Sequence, residues 1–184
     1  MSQVRYIVTV PHAACPPRQL TPENAHPCDL AAPEAAEALA AALAVPPSRV
    51  ISGTIPRDIV DMNRPQGRYL LRERSDLRRL IKGEGKERVV VIDVHSYDGD
   101  APWHVEGATV AVLDSPPFQA WGYTLAATIP NCIHVEGSMQ NDIIVSAKEA
   151  GVPAILVEYL EGSDVRASAR ATAGALGAVF GSNT

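Results

Sequence analysis

His12 and His95 each follow an apolar, β-branched run, and chemistry enters the chain through this pairing. Tyr6 to Val10 reads as a strand and passes into Pro11–His12–Ala13–Ala14. Arg88 to Val94 reads as a buried strand ending at Asp93, His95 and Ser96. In open α/β sheets, ligands and catalytic groups gather at the carboxyl ends of strands. A lone histidine there would be read as a core group bonded to a neighbour, but two of them suggest a shared metal site. Zinc in a hydrolytic site takes three protein ligands from His and Asp/Glu and keeps one position for water. The third ligand is open among three residues. Asp29 can bend back across a loop toward His12, Glu34 lies about a turn further on, and Cys15 follows His12 closely. A carboxylate suits a hydrolase better than a thiolate, so Asp29 is carried forward; its plainer role is to cap the next helix.

Glu158 interrupts the apolar run Ala154–Ile155–Leu156–Val157, where an unpaired carboxylate inside a sheet is costly. It either pairs with an arginine or emerges at the strand end as a general base, and the second role is taken here. Arg57, Asn63 and Arg64 lie in one stretch, Arg57 to Arg64, that follows a short strand. A guanidinium suits bidentate recognition of a carboxylate, and an asparagine adds a neutral donor. Asn63 and Arg64 are therefore expected to bind substrate, and Arg57 to polarise a carbonyl or hold its oxyanion.

The elements that must position these groups alternate between strand and helix. A polar, proline-studded loop covers Cys15 to Pro27, and a helix is expected from Asp29 through about Ala44, with Pro33 in its first turn. Arg49 to Ser52 is a short strand, and Tyr69 to Ile81 has the pattern of an amphipathic helix. Beyond His95 come strands at Ala108–Leu113, Ile133–Val135 and Ala154–Tyr159. Helices are expected at Phe118–Thr128, Asp142–Ala150 and Val165–Phe180, the middle one stopped by Gly151 and Pro153. This predicts one α/β domain over residues 1–184: a mixed, mostly parallel sheet flanked by helices.

Composition narrows the function. With 184 residues, 46% apolar and 20% charged, the chain is globular in character and long enough for one well-cored domain. A net charge of −5 gives no reason to expect nucleic acid or an anionic membrane as partner. There is no apolar run long enough for a membrane helix, and the N-terminus is expected to enter a strand without a secretory signal. Three cysteines, Cys15, Cys28 and Cys132, have no framework spacing and fit a reducing compartment, so a cytoplasmic location is expected. Nothing in the pattern fixes the oligomeric state, and a homo-oligomer remains open. A cysteine hydrolase built on Cys15 or Cys132 lacks a supporting helix-start motif.

Four segments carry a resemblance: Pro11–His12–Ala13, Arg57–Asp58–Ile59–Val60–Asp61–Met62–Asn63–Arg64–Pro65, Ile92–Asp93–Val94–His95–Ser96 and Gly151 to Glu158. In this order they resemble the hallmark segments of the N-formylglutamate amidohydrolases, which belong with zinc carboxypeptidases and aspartoacylase-like hydrolases. The resemblance implies a zinc-dependent exopeptidase-like (phosphorylase/hydrolase-like) fold. It also implies His12 and His95 as zinc ligands, Glu158 as general base, Asn63 and Arg64 on the substrate carboxylate, and Arg57 at the carbonyl. A glycine common in that family is Ala14 here, and the carboxypeptidase-type His–x–x–Glu reads His12–Ala–Ala–Cys15. The expected activity is zinc-dependent hydrolysis of an amide bond next to a free carboxylate. Its substrates would be an N-formyl or N-acyl amino acid, a γ-glutamyl compound or a peptide C-terminus. The alternative from another class is an inactive module that binds a carboxylate ligand through Arg64.

Overall fold

The computed structural model describes residues 4–15, 28–57, 59–64, 77, 79–80, 89–114, 119–136 and 141–181. Six β-branched, apolar runs form strands β1 (Arg5–Val10), β2 (Val50–Ser52), β3 (Val89–Tyr97), β4 (Val110–Asp114), β5 (Cys132–Glu136) and β6 (Ala154–Leu160). They make one sheet in the order β2-β1-β3-β6-β4-β5. β1 pairs in parallel with β2 and β3, β3 with β6, and β4 with β5; only the β4–β6 pair is antiparallel. The neighbours β1, β3 and β6 therefore point their carboxyl ends the same way, and those ends carry His12, His95 and Glu158.

Among the described residues, the helices α1 (Ala32–Ala42), α2 (Gln119–Thr128), α3 (Asp142–Glu149) and α4 (Val165–Gly181) cover the sheet. Strand side chains alternate between faces, so each buried strand feeds two cores. Val8, Val10, Ile92, Val94 and Val157 meet Ala35, Leu39, Ala169 and Leu176 of α1 and α4 on one face. On the other, Ile7, Val91 and Leu156 meet Ile144 and Ala147 of α3, together with Leu77. The alanine-rich faces of α1 and α4 let the two helices lie against each other as well as against the sheet. The fold is the α/β arrangement expected, a mostly parallel sheet with helices on both faces.

Boundaries differ where the site intervenes. β3 does not end before His95; it runs on to Tyr97, buried throughout and paired to β6 as far as Tyr97–Leu160. α1 starts at Ala32 rather than Asp29, because Asp29 turns its carboxylate elsewhere, and its N-cap, Ala31, makes no side-chain cap bond. α3 does stop before Gly151, whose φ of +71° is a conformation that glycine adopts without strain. Most of the helix expected over Tyr69–Ile81, most of the loop after Cys15, and Asp58 and Pro65 lie outside the described residues. Among the described residues no helix is long and apolar enough to cross a membrane.

Candidate metal centre

Three backbone features bring the ligands together. β1 leads through Pro11 into His12, and the Gly53 N–H donates to the Val10 carbonyl at 2.8 Å. A side chain at Gly53 would overlap the carbonyl oxygen of Pro11, so glycine is what allows the chain after β2 to pack against the turn that holds His12. The Asp29 N–H donates to the His12 carbonyl at 3.1 Å, which folds the far end of the loop back onto the turn.

The side chains then converge. One oxygen of Asp29, Oδ2, lies 3.2 Å from His12 Nδ1 and 2.7 Å from His95 Nδ1. The two imidazole rings are 4.9 Å apart between centroids and inclined at 70°. His12, Asp29 and His95 are all buried and offer one ligand atom each, all within 4.8 Å of one another. The second nitrogen of each ring also meets a carboxylate: His12 Nε2 lies 2.9 Å from Asp61 Oδ1, and His95 Nε2 lies 3.0 Å from Asp93 Oδ2. A histidine that binds metal through one nitrogen commonly donates its other N–H to a carboxylate, which fixes tautomer and ring orientation. Both histidines meet that condition. The donor set of two imidazoles and a carboxylate fits a divalent ion of the zinc type.

Asp93 is fully buried and held from several sides. It accepts the Thr9 hydroxyl on Oδ1, and the side-chain amides of Asn63 at 3.2 Å and Asn141 at 2.6 Å on Oδ2. Asn141 also caps α3, its Oδ1 accepting the N–H groups of Ile143 and Ile144 at 3.0 Å each. Asp61 accepts the Asn63 N–H at 2.9 Å and the Arg57 Nε–H at 3.3 Å, with Arg64 Nε at 3.8 Å.

These contacts set the charges. Burial alone would raise the Asp29 pKa, but hydrogen bonds from His12 and His95 overcome it and hold the carboxyl well below its usual range. Asp61 is lowered likewise, its burial outweighed by His12 and the Asn63 amide. For His95, burial favours the neutral ring, yet the charge of Asp93 and the bonds to Asp29 and Asp93 raise its pKa well above the ordinary value. Glu158 behaves in the opposite sense to Asp29. Burial, reinforced by the charges of Asp29 and Asp93, pushes it up to about 7 against the pull of His95 and His12. Glu158 stands directly beside His95 in the β3–β6 register, with small Ala111 as its neighbour on β4.

A cleft of about 230 Å³ opens over the cluster, lined among others by His12, Asp29, His95, Glu158, Arg57, Asn63 and Arg64. The structure thus gathers His12, Asp29, His95, Glu158, Arg57, Asn63 and Arg64 around one space, with some changes of emphasis. Asn63, expected on the substrate, is buried with its amide on Asp93 and 3.0 Å from His95 Nε2, so it braces the site. Arg57, expected at the carbonyl, spends its Nε on Asp61.

Both rival third ligands fall away for physical reasons. Glu34 is exposed and its carboxylate pairs with Arg166 at 2.7 Å. Cys15 is bonded to Cys28 in a disulfide. That bond pairs two of the three cysteines, whose spacing alone gave no disulfide framework. Cys132 is the remaining free cysteine, and burial pushes its thiol up to about 12, too high for a ready nucleophile. Sequence reasoning assigned no part to Asp61, Asp93 or Asn141. For Asp93 a signal existed, an acid two residues before His95 and so on the same strand face.

No family model matches the chain, and no curated protein matches it in sequence. Solved structures share its fold. The gene product Atu2144 from Agrobacterium tumefaciens superposes with a TM-score of 0.65 at 13% identity, over 97% of this chain and 89% of its own. The N-acetylmuramoyl-L-alanine amidase from Clostridium difficile 630 gives 0.57 at 14% identity, over 99% of each chain. A candidate metallopeptidase from Shewanella denitrificans OS217 gives 0.52 at 14%, over 97% of this chain and 74% of its own. At such identities the likeness is one of fold.

Proposed function

We propose that the chain is a zinc-dependent amidohydrolase, similar to the N-formylglutamate amidohydrolases, acting on an amide bond next to a free carboxylate. N-formyl or N-acyl amino acids, γ-glutamyl compounds and peptide C-termini are the substrate classes. The observation that carries this reading is the buried His12–Asp29–His95 cluster with Glu158, raised to about 7, on the adjoining strand. An amidase and a candidate metallopeptidase among the fold's neighbours agree with amide hydrolysis.

His12 and His95 through Nδ1, and Asp29 through its carboxylate, would hold the ion. When bound, zinc acidifies water and polarises a carbonyl group. Asp61 and Asp93 keep the two imidazoles turned toward Asp29. Glu158, ionised, takes a proton from the attacking water and passes it to the leaving nitrogen as the C–N bond breaks, giving a carboxylic acid and an amine. A carboxylate beside the water can take up that proton and give it back, whereas a module that only binds a carboxylate has no use for one. Arg64, on the cleft wall, receives the substrate carboxylate, and Arg57 offers the donors not spent on Asp61 to the developing oxyanion.

The test is a panel of N-formyl and N-acyl amino acids and γ-glutamyl peptides, incubated with the zinc-loaded protein while released amine is measured. Turnover of carboxylate-bearing members, lost in His95→Ala, is expected. A protein that binds no zinc and hydrolyses none of them would overturn the reading.

A further inference from the structure

We infer that Glu161, acting through Ser96, sets the metal affinity of the site by clamping the backbone that carries Asp29. The inference rests on the zinc reading above and adds to it a residue that touches neither ion nor substrate. Glu161 follows the end of β6, three positions past Glu158, and does not line the cleft. Its own N–H donates to the Tyr97 carbonyl at 2.8 Å, which extends the β3–β6 ladder and fixes the residue in place.

From there its Oε1 accepts two hydrogen bonds: the Leu30 N–H at 2.9 Å and the Ser96 hydroxyl at 2.7 Å. The Ser96 oxygen in turn accepts the Ala31 N–H at 3.2 Å. A hydroxyl has one proton to give and lone pairs to receive with, so this relay uses Ser96 consistently. The two backbone amides directly after Asp29 are thus tied to the ends of the strands that hold His95 and Glu158.

Asp29 needs that tie. It lies outside helix and strand, and the next residue, Leu30, is 59% exposed. The first turn of α1 has orphan N–H groups and an N-cap, Ala31, with no side-chain acceptor of its own. Ser96 takes the N–H of that N-cap residue and Glu161 the N–H of Leu30 just before it, and a carboxylate is the favoured charge at a helix N-terminus. Without these bonds the segment can shift, and the shared oxygen of Asp29 leaves the two Nδ1 atoms. Glu161 is accordingly a positioning residue.

The experiment strips the proteins with a chelator and titrates Zn²⁺ back against a chromogenic competitor, comparing wild type with Glu161→Ala, Glu161→Gln, Ser96→Ala and His95→Ala. Glu161→Ala is expected to bind zinc about 10–100-fold more weakly, the range for groups that orient metal ligands. Glu161→Gln keeps the Oε1 acceptor and should return most of the affinity, and Glu161→Ala should regain turnover at saturating zinc. Wild-type affinity in Glu161→Ala, even with a lowered melting temperature, overturns the clamp. So do equal losses in the Ala and Gln variants, which would point to charge alone. Should Glu161→Ala fail to fold, Ser96→Ala carries the same test, since it removes the relay to Ala31. A wild type with no more affinity than His95→Ala is instead the failure of the zinc reading, and the clamp falls with it.

Discussion

His95 Nε2 lies 3.0 Å from Oδ2 of Asp93, two residues earlier on the same face of β3. The strand's period of two thus builds a carboxylate–imidazole pair from one short motif. Asn63, Asn141 and Thr9 hold the same carboxylate, so its position is determined from several sides and is not free to relax. Asp93→Asn should weaken zinc binding by about 10–100-fold while the protein still folds. Calorimetric titration of the stripped variant decides it. Unchanged affinity would leave Asp93 as a support of the fold alone.

The strand ends carrying His12, His95 and Glu158 were legible in sequence, because a single polar group in an apolar strand is costly to bury unless something pairs with it. Asp29 was legible only as one of three candidates. Its competitors were removed by contacts no local pattern encodes: an ion pair from Glu34 to Arg166 in α4, and the Cys15–Cys28 disulfide. Long-range contacts also account for the misplaced start of α1. A helix-capping propensity at Asp29 gave way to two imidazoles that compete for the carboxylate. Asp61 sits within the Arg57–Arg64 stretch, but nothing in that stretch says that His12, 49 positions away, is its partner. Long-range pairing of this kind is set by sheet order.

Ligand identity separates cleanly by substitution. Asp29→Ala should remove most of the zinc affinity, while Glu34→Ala should leave it unchanged. The ion must also displace a proton, because Asp29 and Asp93 raise the pKa of His95 well above its ordinary value. Affinity should therefore rise with pH, with protons released on binding in proportion. Measuring heats in buffers of different ionisation enthalpy counts those protons. Binding with no proton release at pH 6 would contradict His95 as a ligand.

The disulfide contributes to stability more than to the site. It joins residues 13 positions apart, and closing a loop of that size restricts the unfolded chain by about 3 kcal/mol in the chain-entropy account. Cys15→Ser should lower stability in urea by roughly that amount. Zinc affinity should stay within a few-fold of wild type, since Asp29 is held from its other side by Glu161 and Ser96. A variant of normal stability that no longer binds zinc would reverse this assignment.

Glu158 should trade stability against turnover. Its folded pKa is about 7 against an ordinary 4.5, with burial the largest cause. Between those values the folded chain keeps a proton that the unfolded chain has released. Stability from this group is therefore fully present below pH 4.5, falls as the pH rises toward 7, and stays lost above it. Glu158→Gln cannot ionise. In the zinc-free protein it should be more stable than wild type at pH 8, and the difference should close below pH 4.5. In the loaded enzyme the same change should lower kcat by about 10²–10⁴, the usual worth of general acid–base assistance, with KM little altered and zinc retained. The acid limb of the wild-type rate profile should be missing from the residual activity. Normal turnover in Glu158→Gln, combined with a lower melting temperature at pH 8, would make Glu158 a structural group, and the hydrolytic mechanism would then need another base in the cleft.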